Sequence, residues 1–239
     1  MTDRAIAVIP ARGGSKRLPG KHVRSLCGRP AIVYTVEAAL SCGLFERVVV
    51  TTDDAEIGAV ALAAGAEVPF VRAAALADDH TPVSAATVDA LERLDPGGTN
   101  YRHVAQLMAN CPLRNATDIE QSFEEFVRSG AMAQISVTPF GWQNPWWAVR
   151  RGPGGELAPV LPASATGRGQ DLEALYAPTG AVWWGNTTVV RRSGTFHMPG
   201  RTGWVIPWER GIDIDTEEDW RLAEILLEHL RKKEQVHAG

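Results

Sequence analysis

The chain has 239 residues, with 24 Lys and Arg against 28 Asp and Glu, a formal net charge of −4. That length suits one α/β domain over residues 1–239 with a small inserted lobe at most, and the acidic balance excludes a general nucleic-acid binder. Composition is ordinary for a globular protein, no apolar run reaches membrane-spanning length and the N-terminus enters a strand without a signal peptide, so a cytoplasmic protein that uses neither membrane nor nucleic acid is expected.

The first element is the apolar run Ala5 to Ile9, which reads as a buried strand stopped by Pro10. A loop follows, carrying Gly13, Gly14 and Gly20 among Arg12, Lys16, Arg17, Lys21 and Arg24. Pro30 to Leu40 has helical spacing and Gly43 ends it. Val48 to Thr52 is a β-branched strand with Asp53 and Asp54 at its end. Ala55 to Ala64 is a helix, and Ala66 to Val71, interrupted by Pro69, is an irregular or edge strand. Two β-α-β units in about seventy residues predict a mostly parallel sheet with helices on both faces.

After a loop from Arg72 to Pro82, a helix is predicted over Val83 to Leu94, a strand over His103 to Met108 and a helix over Ala116 to Arg128. Asn115 and Asp118 cap the last of these. Met132 to Thr138 is a further strand. Residues 139–175 change character. They are rich in tryptophan, and Gly152-Pro-Gly-Gly155 would turn a hairpin that pairs Trp146 to Arg150 with Glu156 to Val160. So apolar an excursion suggests a dimer contact. Gly180 to Trp184, Thr187 to Val190 and Gly203 to Pro207 read as strands, and Glu217 to about Lys233 as the last helix. The three cysteines, Cys27, Cys42 and Cys111, are too scattered for a disulfide framework or a zinc site and suit a reducing compartment. Most of the eight tryptophans are expected to be packing residues.

The chemistry concentrates at two places. In the first loop, glycines let a backbone approach a ligand, successive N–H groups make an anion-binding concavity, and cations add charge-assisted bonds to phosphate oxygens. A solvated basic turn is the plain alternative. The loop matches neither G-x-x-x-x-G-K-S/T nor G-x-G-x-x-G. Far along the chain, Asp213 and Asp215 fall on one side of an extended segment, as a magnesium-binding pair would. Alternatively, one of them caps the helix that follows. Asp53 and Asp54 sit at a strand's C-terminal end, where open α/β sheets bind ligands; a helix N-cap explains them equally, and no catalytic role is assigned to them. Arg72 has a surface ion pair as its plain reading. Gln106, inside an apolar strand, needs a partner from protein or ligand. Arg168 suits a carboxylate, or lies in a connecting loop.

The segment I-P-A-R-G-G-S-K-R-L-P-G-K resembles the N-terminal signature of the acylneuraminate cytidylyltransferases, which include the pseudaminic and legionaminic acid CMP-sugar synthetases. Further blocks follow in the same order: V-V-V-T-T-D-D-A-E-I, A-E-V-P-F-V-R, L-A-D-D-H-T-P, C-P-L-R-N-A-T-D-I, G-R-G-Q-D-L and D-I-D-T-E-E-D-W. The resemblance implies a Rossmann-like nucleotidyltransferase fold, CTP and an acidic sugar as substrates, magnesium as the metal, and a homodimer or higher homo-oligomer built through the lobe. It places Ala11, Arg12, Gly13, Gly14, Ser15, Lys16 and Lys21 on the triphosphate. Arg72 and Ser84 fall on the base, Gln106, Arg168 and Gln170 on the sugar, and Asp213 and Asp215 on the metal. Arg12, Lys21 and Asp215 would carry catalysis. Three positions depart from the family pattern: His22 stands where Asn is usual, and Gly169 and Thr179 change two later motifs. Transfer to another acid or phosphonate, or nucleotide binding without catalysis, are the alternatives.

Overall fold

The computed structural model describes residues 4–141, 143–161 and 172–237. Every residue of β1 (Ala5–Pro10) is buried. Ala5, Ala7 and Ile9 enter one hydrophobic cluster, Ile6 and Val8 another. A strand covered on both faces is apolar throughout instead of alternating. Pro10 belongs to the strand and forms its last rung, opposite Thr51, where a missing N–H is tolerated.

Two short strands, β2 (Ser25–Leu26) and β3 (Arg29–Pro30), lead into α1 (Ala31–Ser41). Then come β4 (Phe45–Thr51), α2 (Ala55–Ala63), α3 (Val83–Leu94), β5 (His103–Gln106), α4 (Ala116–Ser129) and β6 (Ala133–Pro139). A detached hairpin of β7 (Val149–Arg151) and β8 (Leu157–Pro159) precedes β9 (Tyr176–Asn186), α5 (Thr187–Ser193), β10 (Thr202–Val205) and α6 (Glu217–His237). Among the described residues the central sheet runs β10-β6-β9-β5-β1-β4, parallel except for β9, which is antiparallel to both its neighbours. One face buries Ile32 and Val36 of α1, Ile57 of α2 and Phe126 of α4. The other buries Leu91 of α3 and Val190 of α5. This is the mostly parallel, Rossmann-like sheet with helices on both faces that the alternation of elements predicts.

Helix starts follow local chemistry. Asn115 and Asp118 form the expected capping box on α4, and Asp54 accepts from Glu56 N and Ile57 N at the start of α2. The Ala66–Val71 stretch forms isolated bridges instead of a strand, Glu67 to Val49 of β4 and Val71 to Thr52 just beyond it, in keeping with Pro69 between them. The hairpin pairs Val149 with Pro159 and Arg151 with Leu157, close to the predicted register.

One reading is corrected. Gly180–Trp184 and Thr187–Val190 are not two strands: the first is the centre of the 11-residue β9, and the second is α5. The run T-T-V-V favours a strand by propensity, but Asn186 caps it, with its side-chain oxygen accepting from Val189 N at 3.2 Å, and Gly194 closes it in the left-handed region. Val190 thereby reaches the core, and packing overrides propensity. Of the tryptophans, Trp183, Trp184, Trp204 and Trp220 are buried, whereas Trp147 and Trp208 are half exposed.

Candidate functional site

Parallel strands point their C-terminal ends to one side of a sheet, where ligands bind. Here the ends of β1, β4 and β5 present the first loop, Asp53–Asp54 and the 108–114 turn. The first loop is anchored from both sides. Ala11 N donates to Thr51 O at 3.1 Å, Gly13 N to Asp53 Oδ1 at 3.1 Å, and Leu18 packs beneath it against Leu26, Ile214 and Trp220. Gly13 is required by space: a Cβ there would stand 2.5 Å from Asp54 Oδ2. Gly14 has open space around it and is under no such demand. Ser15 N donates to Gly13 O at 2.9 Å.

Each cation of the loop faces a carboxylate from a distant part of the chain. Arg12 pairs with Asp79 at 2.9 Å and donates to Asp78 O at 2.6 Å, and Lys16 pairs with the other oxygen of Asp79 at 2.5 Å. Lys21, with only 12% of its side chain exposed, donates to Asp215 Oδ1 at 2.8 Å and to Ile214 O at 3.1 Å. Arg17 takes the second oxygen of Asp215 at 2.8 Å.

The cap reading of the late aspartates is settled by their neighbours. Thr216 and Asp219 cap α6: Asp219 N donates to Thr216 Oγ1 at 3.2 Å, while Asp219 Oδ2 accepts from Thr216 N and Asp215 N at 2.8 and 3.0 Å. Neither Asp213 nor Asp215 has that task. Between them Ile214 turns into the core and its N–H donates to Asn110 O at 2.8 Å. Asp213 accepts from Gly180 N at 3.1 and 3.2 Å and from the Cys111 thiol. Burial pushes its carboxyl above the usual range, with the Asp215 charge adding to this against the two hydrogen bonds. Burial acts the same way on Asp215, but Lys21 and Arg17 outweigh it and hold that carboxyl below the usual range. A Cβ at Gly180 would lie 2.8 Å from Asp213 Oδ1 and 2.5 Å from Met108 Cγ, so only glycine fits the place.

Arg72 is not the surface arginine of its plain reading. It is 5% exposed, donates to Thr51 O and to Leu76 O, and among the described residues has no hydrogen-bond partner for Nε. Its pKa is lowered by that burial. Ser84 is buried in the first turn of α3. Gln106 finds its partner in the protein: Thr87 Oγ1 donates to its Oε1 at 2.6 Å, and its Nε2 meets the weak acceptor Met108 Sδ at 3.9 Å. Arg168 and Gln170 lie outside the described residues. His22 is buried near the charges of Lys21, Arg72 and Arg12, its Nδ1 without a hydrogen-bond partner among the described residues. Burial first, then those charges, lower its pKa from 6.5 to about 3, so the ring is neutral.

Sequence reasoning missed Asn110, whose Nδ2 donates to Asp215 Oδ1 at 3.3 Å. It also missed Asp79 as the partner of Arg12, and Gly180 and Cys111 as partners of Asp213. Their signal was position: each lies in a loop or a strand whose partner is remote in sequence.

Residues 6–141 match a family model described as cytidylyltransferase. The pseudaminic acid cytidylyltransferase of Campylobacter jejuni is 34% identical over 223 residues, 92% of this chain and 95% of that one. The CMP-N,N'-diacetyllegionaminic acid synthase of Legionella pneumophila is 33% identical, over 94% of this chain and 97% of its own. A solved CMP:2-keto-3-deoxy-manno-octonic acid synthetase, complexed with CTP, superposes with a TM-score of 0.71 at 18% identity, covering 95% of this chain and 99% of that one.

Proposed function

The chain belongs to the cytidylyltransferase family, and from that premise we propose that it transfers the cytidylyl group of CTP to an acidic nine-carbon sugar of the pseudaminic, legionaminic or sialic type, releasing pyrophosphate. The observation that carries this reading is the meeting of Lys21 with Asp215, 194 residues apart, at 2.8 Å. It brings a phosphate-binding cation and an acidic pair to one point. The anomeric hydroxyl attacks the α-phosphorus in line. The new bond is O–P, the bond to pyrophosphate breaks, and the hydroxyl proton leaves to solvent. Arg12, Lys16 and Lys21 hold the phosphate oxygens, Ala11, Gly13, Gly14 and Ser15 line their path, and Lys21 steadies the charge on the leaving group.

Asp213 and Asp215 suit a hard divalent cation. They offer oxygen donors, and among the described residues Asp213 forms no ion pair while burial disfavours its charge. Among the described residues no group of three or more His, Cys, Asp or Glu could hold a metal; two carboxylates leave positions for phosphate and water, as magnesium sites do. Magnesium bound there would neutralise charge on the phosphates and the departing pyrophosphate. Arg72 and Ser84 are assigned to the cytosine side. Gln106, Arg168 and Gln170 are assigned to the sugar, with the amide of Gln106 set by Thr87.

The second copy of the chain is assigned to the 139–175 lobe. Trp147, Val149 and Leu157 are 49–64% exposed there. Pro139, Phe140, Val205, Ile206 and Trp208 line an apolar groove of about 580 Å³ beside it. A lone two-stranded hairpin is marginal in water, and exposed apolar side chains beside an apolar groove support a contact surface here. The free thiols of Cys27, Cys42 and Cys111 support a reducing, cytoplasmic setting. Among the described residues no helix is long and apolar enough to cross a membrane.

Pyrophosphate release with CTP and magnesium tests the reading, across N-acetylneuraminate, pseudaminate, legionaminate, deaminated sialic acid and an eight-carbon ulosonate. Release with one nine-carbon acid is expected. Silence across the panel, with CTP bound, would overturn it.

A further inference from the structure

A buried guanidinium without a carboxylate is costly, because desolvation of the charge is not repaid by a counter-ion. Arg114, just before α4, is in that position. It is 2% exposed, and among the described residues its partners are two backbone carbonyls and one hydroxyl. Nη1 donates to Cys111 O and Nη2 to Met108 O, each at 2.6 Å. Both nitrogens also reach Thr35 Oγ1 of α1 at 3.2 Å. Among the described residues its Nε has no hydrogen-bond partner, and the nearby carboxylate of Asp118 is taken by Arg210 at 2.8 and 3.0 Å. Burial brings its pKa down to about 10, which leaves it charged at neutral pH.

The planar fork therefore spans the two ends of the 108–111 turn, which Cys111 N closes onto Met108 O at 3.2 Å. That turn carries two side chains that point at the acidic pair. Asn110 Nδ2 reaches Asp215 Oδ1 at 3.3 Å, and the Cys111 thiol reaches Asp213 Oδ1. The same turn binds the backbone between the two acids through Asn110 O and Ile214 N, at 2.8 Å. Among the described residues Arg114 makes no hydrogen bond or ion pair with either acid, so its effect on them passes through the turn.

We propose that Arg114 is a positioning residue: anchored on Thr35, it fixes the 108–111 turn so that Asn110 and Cys111 set the two acidic side chains for a divalent cation. This rests on the assignment of Asp213 and Asp215 to that cation. A purely structural arginine would change folding stability and leave the cation affinity of the folded protein alone. A positioning arginine changes the affinity.

The test is Mn²⁺ binding to the full-length protein with CTP bound, followed by water-proton relaxation, with metal-free CTP affinity and the thermal midpoint measured alongside. Arg114→Met is expected to weaken Mn²⁺ binding by about 10–100-fold, the usual effect of removing an outer support of a metal site, with metal-free CTP affinity unchanged. Arg114→Lys should restore part of the loss, and Thr35→Val should weaken binding in the same direction by less. Wild-type Mn²⁺ affinity in folded Arg114→Met overturns the proposal. If that variant does not fold, wild-type affinity in both Arg114→Lys and Thr35→Val overturns it. Asp215→Asn separates the two readings. If it too binds Mn²⁺ like the wild type, the assignment of the acidic pair fails. If it loses Mn²⁺ while the Arg114 variants keep it, only the positioning role fails.

Discussion

The first loop and the 139–160 hairpin are both surface excursions from the same sheet, and they are finished to different degrees. In the loop, Lys21, Arg17, Arg12 and Lys16 each have a carboxylate partner, and Leu18 seals the underside against α6. In the hairpin, every residue of β7 and β8 is exposed, Val149 and Leu157 among them. Polar groups must be satisfied within reach, so a charged site is completed by one chain. Apolar surface has no such local remedy and is completed only by something that covers it. The loop's cations are therefore each matched by a carboxylate of the same chain, while the apolar side chains of the hairpin stand exposed.

Breaking the charged region should produce the largest effect. Asp215→Asn or Lys21→Met is expected to lower turnover by about 10²–10³-fold, as loss of one charge-stabilising group does, read as initial rates of pyrophosphate release. Turnover near wild type would remove both residues from the reaction.

Breaking the apolar region should act on association instead. Trp208→Glu, beside the groove, is expected to weaken self-association by roughly 30-fold, the effect of about 2 kcal/mol at an interface anchor, in sedimentation equilibrium. An unchanged mass distribution would place the contact elsewhere.

The contrast sharpens at His22, a buried neutral ring inside the charged region. Its folded pKa, about 3, lies below the ordinary 6.5. The neutral ring thus contributes stability that is present above pH 6.5 and lost as pH falls from there toward 3. The loss approaches about 1.4 kcal/mol per pH unit. Urea midpoints between pH 7 and 4.5 should fall more steeply for the wild type than for His22→Asn; equal slopes would mean that the ring takes up its proton without cost.

The smallest effect is expected at Asp79. Its carboxylate occupies Arg12 and Lys16, so Asp79→Asn should tighten metal-free CTP binding, by up to about five-fold given how little an exposed ion pair holds. Weaker binding by titration calorimetry would show that Asp79 supports the nucleotide instead of competing with it.

Much of this was legible in residue order. The apolar run of β1, the glycines and cations after it and the Asn115–Asp118 box each depend on neighbours within a few positions, so local chemistry specifies them. The sequence also showed Asp213 and Asp215 as a pair with two possible tasks. What it could not show was which task each had, because the answer lay with Thr216 and Asp219 on one side and with Lys21, Gly180 and Asn110 on the other. It misread Thr187–Val190, where a cap and a core contact outweigh β-branching, and it left Gln106 waiting for a partner that Thr87 supplies. Residue order determined the elements and the chemistry they carry. Tertiary structure alone decided which charges meet, because a loop's counter-ions come from wherever the sheet brings the chain back.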